Sequence, residues 1–180
     1  MIEKAASRFF FYFCAMDETE KVVLLLGSNI KPREKYLEDA VSLLEGYLGK
    51  STAVSKVYES EPWGFESKTS FYNMAVVFDT RKTPEEVLHL CLQTEKTLGR
   101  VRSSVEGYTS RTMDVDILYF GNRVINSKRL TVPHPRLHLR RFTLLPLVET
   151  VPELIHPLLN KNQKKLLHEC PDKSGVKLVN

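Results

Sequence analysis

Cysteine is scarce in this chain, and no two cysteines stand at a spacing that suits a metal ion. The 180 residues contain only Cys14, Cys91 and Cys170. An odd number of scattered cysteines argues against a disulfide framework and fits reduced thiols, so we expect a cytoplasmic protein. His134 and His138 have the spacing of some zinc ligands, but no cysteine pair accompanies them and we set a zinc site aside.

Long hydrophobic runs and long runs of one charge are also absent. The apolar run Phe9–Ala15 is too short to span a bilayer, and it lacks the cleavage pattern of a signal peptide. The formal net charge is +4 without a Lys/Arg run, which permits an anionic ligand but does not indicate nucleic-acid binding. We therefore expect neither a membrane nor a nucleic acid as a partner.

The first residues differ in character from the rest of the chain. We interpret residues 1–20 as a leader that the domain does not need, because Met16 is followed by polar residues and then by a strand. The alternative is a short apolar segment that packs on the domain or on a second copy of the chain. Residues 21–160 are predicted to form a single domain, followed by a C-terminal helix and tail at 161–180. We expect a monomer, with a dimer as the alternative.

Hydrophobic periodicity predicts an alternation of strands and helices in this domain. Val22–Gly27 is an apolar run typical of a buried strand. Thr83-Pro-Glu-Glu86 is a helix start with a capping box, and Gly99 is predicted to end that helix. The order β-α-β-β-α-β predicts an α+β, ferredoxin-like fold, in which helices pack on an antiparallel four-stranded sheet with C-terminal additions. The other elements predicted for this core are a helix at about 34–48, strands at about 52–59 and 71–79, and a strand beginning at Asp114. A short strand at 123–125 and a short apolar helix at about 143–148 are predicted to follow.

The segment around Asp114-Val-Asp116 carries the clearest chemical signal. Side chains two apart on a strand point to the same face, so the two carboxylates can share one site. Paired carboxylates repel each other unless a positive charge neutralises them, and Mg²⁺ prefers such oxygen ligands. Arg100, Arg102 and Arg111 would then face the anionic oxygens of a substrate. Together these residues predict phosphoryl-transfer chemistry.

The alternative is that this pattern has no function, because Asp-x-Asp is common and exposed arginines are usually solvated. The crowding of charged residues from Glu95 to Asp116, interleaved with apolar positions, favours a site.

Six short motifs, in this order along the chain, carry a family resemblance. The chain resembles the 6-hydroxymethyl-7,8-dihydropterin pyrophosphokinase family of folate biosynthesis, which moves a pyrophosphoryl group from ATP to a pterin. The resemblance covers about 22–155. The motifs are Gly27-Ser-Asn29, Tyr58-x-Ser60-x-Pro62-x-Gly64, Phe71-Tyr-Asn73, Glu95-x₄-Arg100-x-Arg102, Arg111-x₂-Asp114-x-Asp116-Ile-Leu and Leu130-Thr-Val-Pro-His134.

The resemblance implies roles in binding ATP and metal for the charged residues of these motifs and for several residues near them. Asp114 and Asp116 would hold two Mg²⁺ ions with ATP, and Arg100 and Arg111 would neutralise the charge that develops during transfer. Glu95 would receive ribose hydroxyls or order the arginines; the alternative is a helix-face carboxylate paired with Arg100. The implied ATP-binding residues are Glu95, Arg100, Arg102, Arg111, Ile117, Arg129, Thr131, His134 and Arg140.

The resemblance also implies a pterin site. Phe71 and Asn73 would place an aromatic ring beside an amide, which suits a flat heterocycle with a donor–acceptor edge. The alternative is that Phe71 and Phe142 are ordinary core aromatics. Trp63 is predicted to be a lid or pocket wall. The implied pterin-binding residues are Ser60, Pro62, Trp63, Phe71, Asn73 and Phe142.

Two loops, 60–70 and 103–110, are predicted to close over bound ATP and pterin and exclude water. The chain departs from many family members at Tyr108, where a Trp is frequent, and at Pro135, where some have Tyr.

Two rival classes fit the sequence less well. An RNA-recognition domain of this fold needs an RNP1-like aromatic pattern, which the chain lacks. A two-metal nuclease would need further acidic or His ligands near the Asp pair. The alternative that stays open is a catalytically inactive, ferredoxin-like binding or interaction protein, although such a chain would be expected to lose Asp114, Asp116 or Arg100.

Overall fold

Two long apolar strands, β1 (Glu20–Ser28) and β4 (Phe71–Thr80), form the centre of the main sheet. They pair antiparallel along their whole length, from Glu20 opposite Thr80 to Ser28 opposite Tyr72. Both strands are buried on both faces, which is why they read as continuous apolar runs rather than as alternating patterns. The computed structural model describes residues 19–63, 69–100 and 112–179.

The remaining elements complete an α+β fold. The strands are β2 (Ala53–Val54), β3 (Tyr58–Ser60), β5 (Asp114–Phe120), β6 (Ile125–Asn126), β7 (Thr131–Val132) and β8 (Val176–Leu178). The helices are α1 (Arg33–Leu48), α2 (Pro84–Thr97), α3 (Arg141–Thr150) and α4 (Gln163–Glu169), with a 3-10 turn at Leu137–Leu139.

The sheet order is β5-β1-β4-β3-β8, with β2 also paired to β4 and every pair antiparallel. This order confirms the predicted ferredoxin-like arrangement, in which the first and third strands lie at the centre and the last strand lies at an edge. The sheet is larger than the expected four strands. The C-terminal tail adds β8 beside β3, and a separate two-stranded sheet pairs β6 with β7.

The second predicted strand, at about 52–59, is divided into β2 and β3. Val54 lies opposite Val76, but Tyr58 lies opposite Asn73, so this side of the ladder holds one extra residue. Ser55 occupies the break, where its hydroxyl accepts a hydrogen bond from the backbone N–H of Ala75 at 2.9 Å. The Ser55 hydroxyl thus takes the place of a backbone carbonyl as the acceptor between the two strands. Such a local disruption of the sheet hydrogen bonds is expected at a β-bulge.

Helices α1 and α2 cover one face of the sheet. The buried residues of α1, which recur at helical spacing, are Leu37, Ala40, Leu44 and Leu48. Helix α2 begins with the predicted capping box: the backbone N–H of Thr83 donates to Glu86 at 2.7 Å, and the Thr83 hydroxyl accepts from the N–H of Glu86. Gly99 follows the helix with φ +82, a left-handed conformation that glycine adopts at low cost.

Helices α3 and α4 cover only part of the opposite face. They pack against Val23, Leu25, Val77 and Leu118, at one end of the sheet. The other end of the same face, near Gly27 and Asn73, opens into a cavity. None of the helices within residues 19–63, 69–100 and 112–179 combines the length and the apolar content that crossing a bilayer requires.

Candidate active site

Asp114 and Asp116 lie at the start of β5, on the edge strand of the sheet. They are half-buried and alternate with the buried Val115 and Ile117, as expected when successive side chains of a strand point to opposite faces. Both carboxylates line two different cavities. The paired residues that the sequence singled out therefore lie where the two cavities meet.

The first cavity, which we call the aromatic cavity, lies on the sheet face that α3 leaves uncovered. It brings together Trp63, Phe71 and Phe142 from three separate parts of the chain. Gly27 forms part of its floor, since a side chain there would extend toward Asn73 and Asp114. The described residues that line it are Leu25, Gly27, Ser60, Glu61, Trp63, Phe71, Asn73, Asp114, Asp116, Arg140 and Phe142.

The amide of Asn73 has a fixed orientation in this cavity. Its Nδ2 donates a buried hydrogen bond to the hydroxyl of Ser60 at 2.9 Å. Its Oδ1 is directed toward Gly27, where an added Cβ would lie 3.5 Å away. Asn73 thus presents a carbonyl oxygen at the cavity floor, which is an acceptor for the N–H groups of a flat heterocycle.

Arg140 lies in the aromatic cavity. Its guanidinium carbon is 4.8 Å from the ring centre of Trp63 and 5.6 Å from that of Phe142, so it contacts both aromatic walls. The family resemblance implied a phosphate-binding role for Arg140 beside the other cations. In the structure this residue lines the aromatic cavity with Asp114 and Asp116, and its phosphate-binding role stays a prediction.

The second cavity, which we call the cationic groove, runs along the exposed edge of β5. Its volume is about 570 Å³, which falls in the usual range for small-molecule sites. Helix α2 forms one wall and residues 128–135 form the other. The described lining residues are Leu88, Leu92, Glu95, Arg100, Asp114, Val115, Asp116, Ile117, Lys128, Arg129, Leu130, Thr131, His134 and Pro135.

Glu95, Arg100 and Asp114 form a connected charge network in the groove. Nη1 of Arg100 donates hydrogen bonds to both carboxylates. Glu95 is buried on α2, and the oxygen that Arg100 contacts also accepts from the backbone N–H of Val115 at 3.0 Å. Glu95 therefore holds Arg100 against Asp114 and ties the end of α2 to β5. The sequence suggested that Glu95 either orders the arginines of the site or is a helix-face carboxylate paired with Arg100. The observed contact between Glu95 and Arg100 agrees with both interpretations.

His134 enters the groove as a neutral ring. Burial lowers its pKa to about 4, and the positive charges of Arg140 and Arg136 act in the same direction. The backbone N–H of Arg136 donates to Nδ1 of His134 at 3.3 Å. In a neutral ring the proton then lies on Nε2, which makes His134 a hydrogen-bond donor without a net charge.

Most of the predicted residues come together, and the exceptions are specific. Ser60, Trp63, Phe71, Asn73 and Phe142 line the aromatic cavity, whereas Pro62 does not. Glu95, Arg100, Ile117, Arg129, Thr131 and His134 line the groove. Arg102, Arg111 and Tyr108 lie outside the described residues, as do loop 103–110 and the central part of loop 60–70.

Sequence reasoning missed several residues at the site. Leu88 and Leu92 of α2 provide an apolar wall of the groove. The only signal in the sequence for this role is that both lie toward the exposed side of the helix's apolar face. Arg33, at the start of α1, donates to the carbonyl of Ser70 at 2.9 Å and stacks over Tyr72 at 3.8 Å. It thereby fixes the chain directly before Phe71, a tertiary contact that no local pattern predicts.

The donor set suits a magnesium ion held jointly with a substrate. Among residues 19–63, 69–100 and 112–179, no group of three or more His, Cys, Asp or Glu side chains could hold a metal by itself. Mg²⁺ does not need such a cage, because it commonly uses one or two carboxylates together with water and substrate phosphates. Asp114 and Asp116 fit that requirement.

The fold and the site define a ferredoxin-like enzyme in which an aromatic cavity and a cationic groove share a carboxylate pair. Such an arrangement suits the transfer of a charged group between two substrates. The chain belongs to the 7,8-dihydro-6-hydroxymethylpterin-pyrophosphokinase (HPPK) family, whose model matches residues 23–152. The predictions of the family and of an ATP-dependent pyrophosphokinase as the enzyme class are thereby confirmed.

Two bacterial relatives share much of the sequence. A 2-amino-4-hydroxy-6-hydroxymethyldihydropteridine pyrophosphokinase of Bacillus subtilis (strain 168) is 46% identical over 127 residues, covering 70% of this chain and 75% of the relative. The enzyme of the same name from Aquifex aeolicus (strain VF5) is 39% identical over 148 residues, covering 82% of this chain and 91% of the relative.

The fold is also similar to a solved structure, Plasmodium falciparum HPPK-DHPS with pteroate. The TM-score is 0.70 at 19% identity, and the match covers 84% of this chain. This chain spans 44% of that longer chain. At this identity the likeness concerns the fold alone, and it agrees with the sheet order given above.

Proposed function

We propose that this chain transfers a pyrophosphoryl group from ATP to the hydroxymethyl group of 6-hydroxymethyl-7,8-dihydropterin and releases AMP. The observation that carries the proposal is the position of Asp114 and Asp116, which line both cavities. A pterin in the aromatic cavity and the triphosphate of ATP in the cationic groove would meet at these carboxylates. This is the geometry that transfer between two bound substrates requires.

The aromatic cavity supplies the contacts that a pterin needs. Phe71 and Phe142 offer apolar ring faces, and the carbonyl of Asn73 offers an acceptor for the N–H groups along one edge of the pterin. The hydrogen bond from Asn73 to Ser60 keeps this acceptor in place. A substrate held between rings and a fixed amide would keep its hydroxymethyl group oriented toward Asp114 and Asp116.

The cationic groove supplies the contacts that ATP needs. Leu88 and Leu92 give an apolar surface for the base, while Arg129 and the Nε2–H of His134 can bind phosphate oxygens. Arg100, held by Glu95 beside Asp114, would stabilise the negative charge that develops on the transferred group. Arg102 and Arg111 are proposed as further phosphate ligands from their place in the family motif.

Asp114 and Asp116 are also the residues that we propose as ligands of Mg²⁺. When bound there, Mg²⁺ would neutralise phosphate oxygens of ATP and favour ionisation of the attacking hydroxyl. The carboxylates themselves orient the phosphate chain relative to the pterin. The contact of Arg100 with Asp114 supports a role for its guanidinium beside phosphates held at these carboxylates.

Product analysis tests the proposal directly. Purified protein would be incubated with ATP, Mg²⁺ and 6-hydroxymethyl-7,8-dihydropterin, and the nucleotides resolved. AMP formed in step with pterin pyrophosphate is the expected result. ADP would instead identify a simple kinase, and a folded protein without turnover would favour the inactive interaction protein.

A further inference from the structure

The C-terminal tail contacts both sides of the aromatic cavity from outside. Residues 170–179 lie beyond the 23–152 segment that matches the family model. The tail caps α3, which carries Phe142, and it adds β8 to β3, which carries Ser60. We propose that the tail, through Asp172, is a positioning element that shapes the aromatic cavity for its pterin substrate. The inference rests on the proposed function.

The first contact is a helix cap supplied from a distant part of the chain. Helix α3 has Arg140 at its N-cap position, and the Arg140 side chain makes no capping hydrogen bond. Instead Oδ2 of Asp172 accepts from the backbone N–H of Arg141 at 2.9 Å. The helix N-terminus favours a negative charge, so Asp172 satisfies a donor that would otherwise have no acceptor in the helix.

The position of this cap links it to the cavity. Arg141 lies between Arg140 and Phe142, and both of those neighbours line the aromatic cavity. Asp172 is in turn held by its own turn, because its Oδ1 accepts from the N–H of Ser174 at 2.9 Å. The cap therefore fixes the backbone from which two walls of the cavity project.

The second contact is a strand pairing on the opposite side. In β8, Val176 lies opposite Ser60, and beyond the strand the N–H of Val179 donates to the carbonyl of Val57 at 2.9 Å. Ser60 is the residue that orients the Asn73 amide. Without β8, β3 would be a three-residue edge strand, which is a weakly held element.

The two contacts predict an effect on pterin binding that is separate from ATP binding. Residues 170–179 contact α3 and β3, which carry walls of the aromatic cavity, and none of them is among the described groove-lining residues. Loss of the cap should therefore change the Michaelis constant (KM) for the pterin and leave that for ATP unchanged.

The test compares Asp172→Ala with Asp172→Asn and with Asn162→Ala as a matched control. Asn162 caps α4 by accepting from the N–H of Lys165 at 3.0 Å, and it lines neither cavity. For each variant, KM for pterin, KM for ATP, kcat and the free energy of unfolding would be measured. In Asp172→Ala we expect the pterin KM to rise about fivefold, in proportion to the loss of one cap, with the ATP KM unchanged.

Asp172→Asn should restore part of the pterin affinity, because its amide oxygen can still accept from Arg141 while its NH₂ group cannot accept from Ser174. Asn162→Ala should lower stability by a similar amount without changing either KM. An unchanged pterin KM in Asp172→Ala would overturn the proposal, as would equal shifts of both KM values or an equal pterin shift in the control. If Asp172→Ala does not fold, Asp172→Glu, which moves the carboxylate by one methylene, replaces it. The same comparison of pterin KM with ATP KM then decides the proposal.

Failure of the proposed function has a different signature. It appears in the wild-type chain, as no AMP formation, whatever the variants do. Pterin binding would then be followed through the fluorescence of Trp63, the only tryptophan and a wall of the cavity. A weaker pterin dissociation constant in Asp172→Ala but not in Asn162→Ala would support the positioning role. Equal constants, or no pterin binding by any of the chains, would overturn it.

Discussion

Arg100 donates a hydrogen bond to Asp114, and this contact lies where the aromatic cavity meets the cationic groove. The same Arg100 nitrogen also contacts Glu95, which is buried on α2. A carboxylate pair facing two cavities is thus combined with a cation that the fold holds in place. The consequences of this arrangement can be tested one residue at a time.

The first prediction concerns Asp116. Replacing Asp116 by Ala removes one of the two carboxylates shared by the cavities, and we expect turnover to fall about a thousandfold or more, with loss of Mg²⁺-dependent ATP binding. Asp79→Ala is the matched control, because Asp79 lies at the far end of β4 and pairs with Lys21 at 3.0 Å. AMP formation and ATP titration with and without Mg²⁺ would be measured. Near-normal activity in Asp116→Ala would exclude the proposed metal role.

The second prediction concerns Glu95. Its replacement by Gln keeps a hydrogen-bond acceptor but removes the charge that balances Arg100. Because Glu95 is buried, we expect a loss of about 1–3 kcal/mol in the free energy of unfolding. We also expect a fall of about tenfold in kcat/KM for ATP, since Arg100 would no longer be held beside Asp114. Glu85→Gln, at an exposed position of the same helix, is the control. If both variants behave alike, the network does not position Arg100.

The third prediction concerns Gly27, which lines the aromatic cavity. A Cβ at this position would lie 3.5 Å from Oδ1 of Asn73, an ordinary contact distance, so Gly27→Ala should fold without strain. The methyl group would nevertheless cover the acceptor that we assign to the pterin, and the pterin KM should rise about tenfold. Gly46→Ala in α1, where an added Cβ meets nothing within 4 Å, is the control. A pterin KM that stays constant in Gly27→Ala would place the pterin elsewhere.

The fourth prediction concerns the pH dependence of stability. Burial lowers the pKa of His134 to about 4, below the ordinary value of 6.5 that it should regain on unfolding. Between these values the unfolded chain binds more protons than the folded chain. The stability contributed by neutral His134 is therefore present above pH 6.5 and is lost as the pH falls through about 4.

Denaturant unfolding at several pH values from 4 to 8 would test this for the wild type and for His134→Gln. The variant should show a shallower loss of stability toward acid pH, although not a flat profile, because burial also lowers the pKa of His138 and of His156. His89→Gln, at an exposed position of α2, is the control and should follow the wild type. Parallel profiles for all three proteins would refute the assignment to His134.

Several features of the molecule could be predicted from the sequence, because they depend on neighbouring residues. The capping box of Thr83 and Glu86 closes within one helical turn, and the apolar run of β1 reports burial on both faces. The same holds for Asp114 and Asp116, whose common face follows from the two-residue period of a strand. These local rules were sufficient for the β-α-β-β-α-β order of the core, the ferredoxin-like class and the shared face of the two carboxylates.

Other features were decided only by the tertiary structure, because they join residues that are far apart in the chain. Arg140 contacts Trp63, and Asp172 caps the helix of Phe142; neither contact has a local pattern. The placement of β8 beside β3 depends on an open sheet edge more than a hundred residues earlier in the chain. Hydrophobic periodicity specifies which face of an element is buried, but not which distant polar group will satisfy an exposed edge or a helix end. That choice depends on the packed arrangement of the whole domain, since unpaired backbone groups take whichever partner the fold brings within reach.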